Sequence, residues 1–222
     1  MIYLPVTIVL FLLLLLLFPL IWIALALEVV EVAVAKLGFS PQAALVICLA
    51  VVLGSTINIP LYERVASVPV VADLVDLWSA RFWGIPLRRI EQRTIVALNI
   101  GGGLIPTVLA LYEFTRSDPV VILMVTAVVT LVSYVSAQIV PGIGIQMNAL
   151  IAPLTASFAA ILLAGSNAPS VAFAGGVLGT LIGADLLHLP ELEKMSAGVL
   201  SIGGAGVFDG IVLCGLFALL LT

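Results

Sequence analysis

Polar positions are rare along this chain, and they come in islands. Between the islands lie apolar runs of about 20 residues, each long enough to cross a ~30 Å hydrocarbon core at 1.5 Å per residue. The runs cover residues 3–27, 41–60, 94–113, 119–139, 148–165, 169–188 and 197–221. Stretches such as Phe11 to Leu17 are apolar at every position, which is not the alternation of a membrane β-barrel. Helices then remain as the way to satisfy the backbone in lipid. The expected fold is all-α, a polytopic transmembrane helix bundle of about seven spans. It forms one membrane domain over residues 1–222, with nothing left over for a separate soluble domain.

The first run, Tyr3 to Leu27, lacks a charged leader and a small-residue cleavage site, so it is expected to stay as a span and not to be removed as a signal peptide. Glu28 and Glu31, just beyond it, are expected as headgroup-level or loop charges. The largest polar island, residues 61–93, holds Arg64, Arg81, Arg88, Arg89 and Arg93, five of the eight basic residues. The excess of positive charge puts this loop in the cytoplasm, together with Lys194 between the last two spans. Lys36 and Arg116 fall on the other side. The N-terminus is therefore expected inside and the C-terminus outside, with a prokaryotic cell membrane as the setting. Within the island, Val71, Leu74, Val75, Trp78 and Phe82 follow the i, i+3, i+4 spacing of one helix face, opposite Asp73 and Asp76. That pattern predicts an amphipathic helix lying in the interface plane. Tyr62, Glu63 and Arg64 are expected at the interface as well.

Several runs are interrupted where polar residues gather. Asn58-Ile-Pro60 closes the second, Asn99 to Pro106 places three glycines and a proline in the third, and Pro141-Gly-Ile-Gly144 precedes Gln146, Asn148 and Pro153. A broken helix in lipid must line a cavity or lie buried in protein. Asn58, Asn99, Gln138, Gln146, Asn148 and Pro153 are the candidate cavity-lining residues.

Composition changes this picture little. The chain is 63% hydrophobic and 9% charged, against roughly a quarter charged in a soluble domain, so much of its surface must face lipid. Cys48 and Cys214 both fall inside apolar runs, which gives neither a disulfide framework nor metal-ligand spacing. No cofactor or metal is implied, and there is no basic-aromatic pattern for nucleic acid. The expected partners are the lipid bilayer and either a transmembrane-helix substrate or a small solute or ion. No oligomeric state is implied.

Asp185 and Asp209 stand apart as the acidic residues within apolar runs instead of at their edges. A carboxylate inside a span costs at least ~2.5–3.5 kcal/mol, and membrane proteins keep such groups mainly where they act. Gly175, Gly179 and Gly183 form two GxxxG steps on the sixth run, and Gly206 and Gly210 enclose Asp209 on the seventh. Such ridges let helices approach closely, and the short loop predicts an antiparallel pair in contact. Asp185 lies near the end of its helix, ~5–8 Å deep. A last helix starting near Gly203 puts Asp209 ~9 Å deep, level with Asp185, whereas one starting near Ser196 puts it ~20 Å deep. Gly203-Gly204-Ala205-Gly206 is a poor helix interior, which favours the level pair. His188, three residues beyond Asp185, is expected at the interface, with a proton relay to Asp185 as the alternative.

Two aspartates on consecutive membrane helices, the second after a Gly-x-Gly element, resemble the GxGD intramembrane aspartyl proteases (presenilin and signal peptide peptidase). The resemblance covers about 40 residues at the C-terminal end, with Gly204-Ala205-Gly206-Val207-Phe208-Asp209 as the second motif. The spacing here is Gly-x-Gly-x-x-Asp, and Ala184 stands where that family has a tyrosine. The resemblance implies Asp185 and Asp209 as catalytic residues, with Gly183, Gly204, Gly206, Gly210 and His188 supporting them. With the residues alone, three functions remain open: an aspartyl peptidase, a proton- or sodium-coupled transporter using the same aspartates, and a non-catalytic scaffold. As a whole the chain resembles an uncharacterised family of prokaryotic membrane proteins, on Asn58-Ile-Pro60, Asn99 to Pro106, Pro141 to Gly144, Gly183 to Asp185 and Gly206 to Gly210.

Overall fold

A computed structural model describes residues 6–69, 89–140, 144–191, 198–204, 215–216 and 219–222. It is mostly helical with few strands, and it separates into two compact units, Met1–Leu49 and Ala50–Thr222.

The first unit contains α1 (Val6–Lys36) and most of α2 (Pro41–Gly54). Helix α1 runs on past Glu28 and Glu31, which are exposed on the helix, so of the two expectations the loop one does not hold. Nothing between Leu27 and Lys36 breaks a helix, and the stop comes at Gly38, whose φ of 78° is left-handed. Its exposed side is apolar from Leu10 to Trp22.

The second unit departs most from the all-α expectation. Residues 58–69 form β1 (Asn58–Pro69) and residues 89–99 form β2 (Arg89–Asn99), paired antiparallel from Asn58↔Asn99 to Pro69↔Arg89 with a bulge between Pro60 and Tyr62. A further strand, β5 (Gly198–Ile202), runs parallel to β2 and completes the order β1-β2-β5. The helical spans expected over 41–60, 94–113 and 197–221 are thus each partly strand. Short apolar runs do not reveal their period, and β-branched content is what separates strand from helix in them. Thr94-Ile95-Val96 is such a run, with Thr94 and Val96 buried and Ile95 exposed. Tyr62, Glu63 and Arg64 lie exposed on β1, where Glu63 meets Arg93 at 3.5 Å. The interfacial helix expected over Val71 to Phe82 lies outside the described residues.

After β2 the chain makes one π-helical turn, Ile100–Leu104, and continues as α3 (Ile105–Glu113). Asp118 caps α4 (Pro119–Ser136) by accepting the Val120 amide at 2.9 Å. A two-stranded hairpin follows, β3 (Gln138–Val140) with β4 (Gly144–Gln146). Helix α5 (Ile151–Ala164) joins α6 (Ala168–Thr180) through a short 3₁₀ turn that opens at left-handed Gly165, and α6 runs on into a π-helical stretch, Leu181–Leu186. Among the described residues two helical runs can cross a membrane by length and composition, Pro119–Ser136 and Ile151–Glu191.

Helix α6 is the centre of this unit: Val171 to Val177 are all buried, and α3, α4 and α5 all pack on it. The glycine ridge expected to face the last helix faces α4 instead. A Cβ on Gly175 would lie 2.6 Å from Val125, one on Gly179 2.6 Å from Val129, and one on Gly183 2.4 Å from the Thr130 carbonyl. The last segment also reaches α6 on another side, where a Cβ on Gly215 would meet Phe173 at 2.8 Å. The outer faces of α4 and α5 are exposed and apolar, with Leu123, Leu131, Val135, Phe158 and Leu162 among them.

Candidate functional site

Two of the three interruptions singled out in the sequence, at Asn58 and at Asn99 to Pro106, meet at one polar junction. Asn99, the last residue of β2, has a buried side chain whose Oδ1 accepts the Gly102 amide at 2.8 Å, capping the π turn. Its Nδ2 donates to the Ser55 carbonyl at 2.7 Å and to Asn58 Oδ1 at 3.1 Å. Asn58 Oδ1 also accepts from the Ser201 hydroxyl on β5. Asn99 and Asn58 together therefore tie the end of α2, both neighbouring strands and the glycine turn to one another. Glycine is needed here for proximity: a Cβ on Gly101 would sit 2.1 Å from the Val51 carbonyl oxygen.

Asp185 reaches the same junction from the other side. It lies in the π-helical stretch after α6, is 4% exposed, and its Oδ2 accepts the Gly203 amide at 2.6 Å. π-Helical turns within α-helices are frequent at functional sites. Glycine is required at position 203 on two grounds. Its φ is 68°, and a Cβ there would lie 2.6 Å from the Gly103 nitrogen. Gly203 thus rests on the glycine turn that Asn99 caps, while its amide is held by Asp185.

His188 is buried, with Nδ1 3.1 Å from the carbonyl oxygens of both Gly183 and Ala184 and its ring stacked on Tyr134 at 4.7 Å. It closes the π-helical stretch by serving carbonyls there. Among the described residues Asp185 bonds Gly203 and not His188, so the histidine supports the backbone around Asp185. Gly204 is buried too, and its amide closes a turn onto the Ser201 carbonyl at 2.9 Å. Asp209, Gly206 and Gly210 lie outside the described residues. Since 198–202 are strand and Gly203 is left-handed, a last helix running continuously from Ser196 is excluded.

The remaining cavity candidates do not join this junction. Gln138 and Gln146 are cross-strand partners in the β3–β4 pair. Asn148 turns the chain into α5 by accepting the Leu150 amide at 3.0 Å, and Pro153 is buried in the first turn of that helix. Asn58 and Asn99 do come together, with their amide groups engaged by one another and by neighbours. Ser201 and Ser55 carry no signal in the sequence, because a lone serine in an apolar run looks like any other. The Gly203-Gly204 pair does mark a tight turn, though not its contact with Asp185. Glu113 is a further residue that sequence reasoning missed. It is the last residue of α3, fully buried, and neither carboxyl oxygen has a hydrogen-bond partner.

Residues 52–221 match the family described as Protein of unknown function (DUF1614), and the chain belongs to that family. The matched stretch contains the whole junction from Asn58 to Gly204. No curated protein and no solved structure matches the chain.

Proposed function

We propose that this protein is a polytopic membrane protein of about seven spans, N-terminus in the cytoplasm, that acts as an intramembrane aspartyl peptidase through Asp185 and Asp209. The observation that carries the reading is the bond from the Gly203 amide to Asp185. It brings a buried carboxyl to the glycine-rich start of the segment that bears Asp209. Gly203 and Gly215, six residues to either side of Asp209 along the sequence, both pack in the unit built around α6, Gly203 at Asp185 and Gly215 at Phe173.

In the proposed reaction one carboxylate takes a proton from water as the oxygen attacks the scissile carbonyl. The protonated partner donates to the carbonyl oxygen and, on collapse, a proton passes to the leaving amine. Both roles require carboxyls close enough to share a proton, within ~4–6 Å. The test is cleavage of a transmembrane-helix reporter by the purified protein in bilayers. Asp185→Asn and Asp209→Asn should each abolish cleavage while the protein still folds; at position 185 asparagine keeps an oxygen for the Gly203 amide. Cleavage retained by either variant overturns the reading.

A second reading, a proton- or sodium-coupled transporter, is favoured by Glu113, a buried carboxyl that peptidase chemistry does not use. It expects gradient-dependent uptake that the aspartate variants lose. A scaffold expects mild effects from both substitutions and a stable partner on purification.

A further inference from the structure

Two buried side chains among the described residues have polar atoms with no hydrogen-bond partner, Glu113 with both carboxyl oxygens and Ser133 with its hydroxyl. Buried polar groups are nearly always partnered, so each exception calls for a physical reason. Ser133 lies where Gly183 presses on α4 and carries no charge, and a weak unsatisfied hydroxyl there is tolerable. Glu113 is a different matter, because a buried carboxylate without partners is among the costliest groups a fold can hold.

Its surroundings come from three elements. Helix α6 contributes Ser170 from its first turn, whose hydroxyl faces the carboxyl without making a full hydrogen bond. The turn after α3 contributes Arg116, which attracts the carboxyl electrostatically and lies over the Tyr112 ring at 5.8 Å. Helix α4 begins close by in sequence with Asp118, which is engaged in capping. A metal ion is a poor occupant of this place. Hard cations gather six or more oxygens, while Glu113 and Ser170 offer three, beside a guanidinium. A proton needs one oxygen and no further ligand.

We propose that Glu113 is a proton-binding site, a carboxyl carried as the neutral acid at the α3–α6 junction that takes up and releases its proton from the side on which Arg116 lies. The site is at the end of α6 opposite Asp185. From Ser170 to Asp185 is fifteen residues, roughly 20 Å of helix, so it is separate from the glycine junction. The inference holds whichever way Asp185 works, because its ligand and its readout are its own.

Dicyclohexylcarbodiimide, which adds to protonated carboxyls in apolar surroundings, is the probe. The full-length protein in lipid nanodiscs is treated across a pH series, and labelling at residue 113 is read by peptide mass spectrometry. The expected result is labelling at Glu113 at low pH and its loss as pH rises. In Arg116→Gln the same labelling should persist to higher pH, since the attraction that favours the carboxylate is gone. A merely structural carboxyl sealed from exchange would label, or fail to label, without regard to pH or to Arg116, and that outcome overturns the proposal. So does protection of Glu113 by millimolar sodium or potassium at fixed pH, which would make a metal ion the ligand. Absence of label at every pH, whether from a sealed carboxyl or an ionised one, would overturn it equally.

Discussion

The two ends of α6 hold a buried carboxyl in opposite ways. At the C-terminal end, Asp185 has a backbone amide 2.6 Å away, and that amide belongs to a glycine locked by its own backbone. At the N-terminal end, Glu113 has a hydroxyl facing it, a guanidinium nearby and no hydrogen bond. The first arrangement fixes a carboxyl oxygen in space, as orienting or reacting with a substrate requires. The second leaves the carboxyl unconstrained by any donor, as suits a group whose proton comes and goes. Burial alone does not assign a role to an acid; its partners do.

The sharpest way to break the Asp185 end is through its partner. Gly203→Ala places a Cβ 2.6 Å from the Gly103 nitrogen at a φ of 68°. The left-handed backbone costs ~1–2 kcal/mol for a non-glycine residue, and the overlap with backbone adds about as much again. A loss of about 3 kcal/mol or more is expected in urea or thermal unfolding in detergent, a larger effect than at any other position discussed below. A variant within about 1 kcal/mol of wild type by that measure would mean Gly203 is not locked against the glycine turn.

Between the two ends lies the glycine ridge. Gly183→Val brings a branched side chain to where a Cβ already comes within 2.4 Å of the Thr130 carbonyl. Backbone cannot give way as a flexible side chain can, so α4 and α6 must separate at a cost of about 2 kcal/mol. The check is the unfolding midpoint, alongside Gly165→Ala. A Cβ on Gly165 would meet nothing within 4 Å, but the φ there is 55°, so its alanine variant should lose only the ~1–2 kcal/mol backbone term.

Replacing Asp185 itself should cost less than replacing its glycine partner. Asp185→Ala leaves the buried Gly203 amide unpaired, worth about 1–3 kcal/mol, while Asp185→Asn keeps an acceptor and should stay within about 1 kcal/mol of wild type. Equal losses for the two variants would show that charge at Asp185, and not the hydrogen bond to Gly203, holds this end together.

One end of α6 is visible in the sequence and the other is hidden, for a physical reason. Asp185 stands among apolar neighbours in Gly183-Ala184-Asp185-Leu186, so any residue-by-residue scan finds it. Glu113 sits between Tyr112 and Phe114 with Arg116 and Asp118 just beyond, which reads as the polar edge of a span. In the fold it is buried, in a helix that packs on α6. Asn58, Asn99 and the glycine turn were legible because clustered glycines beside an amide side chain signal a broken helix, and they do converge. Their partners Ser201 and Ser55 were not legible, since hydrogen bonds between distant segments leave no local pattern. The strands were missed on the same account. Thr94-Ile95-Val96 and Gly198-Val199-Leu200 sit inside apolar runs whose length suggested helix, and strand pairing is a long-range fact.

The smallest expected effect is at the N-terminal end, and it tests the comparison most directly. If Glu113 is carried as a neutral acid without partners, Glu113→Gln exchanges one uncharged polar group for another of similar shape. Stability should then move by no more than about 0.5 kcal/mol, the range of substitutions that break no specific interaction. If the carboxylate were instead ionised and held by Arg116, the same change would leave a guanidinium without its counter-charge beside a buried site. Breaking a buried pair costs about 3–5 kcal/mol, though the exposure of Arg116 would reduce that toward the weaker values of surface pairs. Measuring Glu113→Gln next to Arg116→Gln separates the cases, since a true pair gives losses that fail to add in the double variant. Losses that add, with that of Glu113→Gln near zero, leave Glu113 as a buried acid not paired with Arg116, in contrast to the anchored Asp185 at the other end of the same helix.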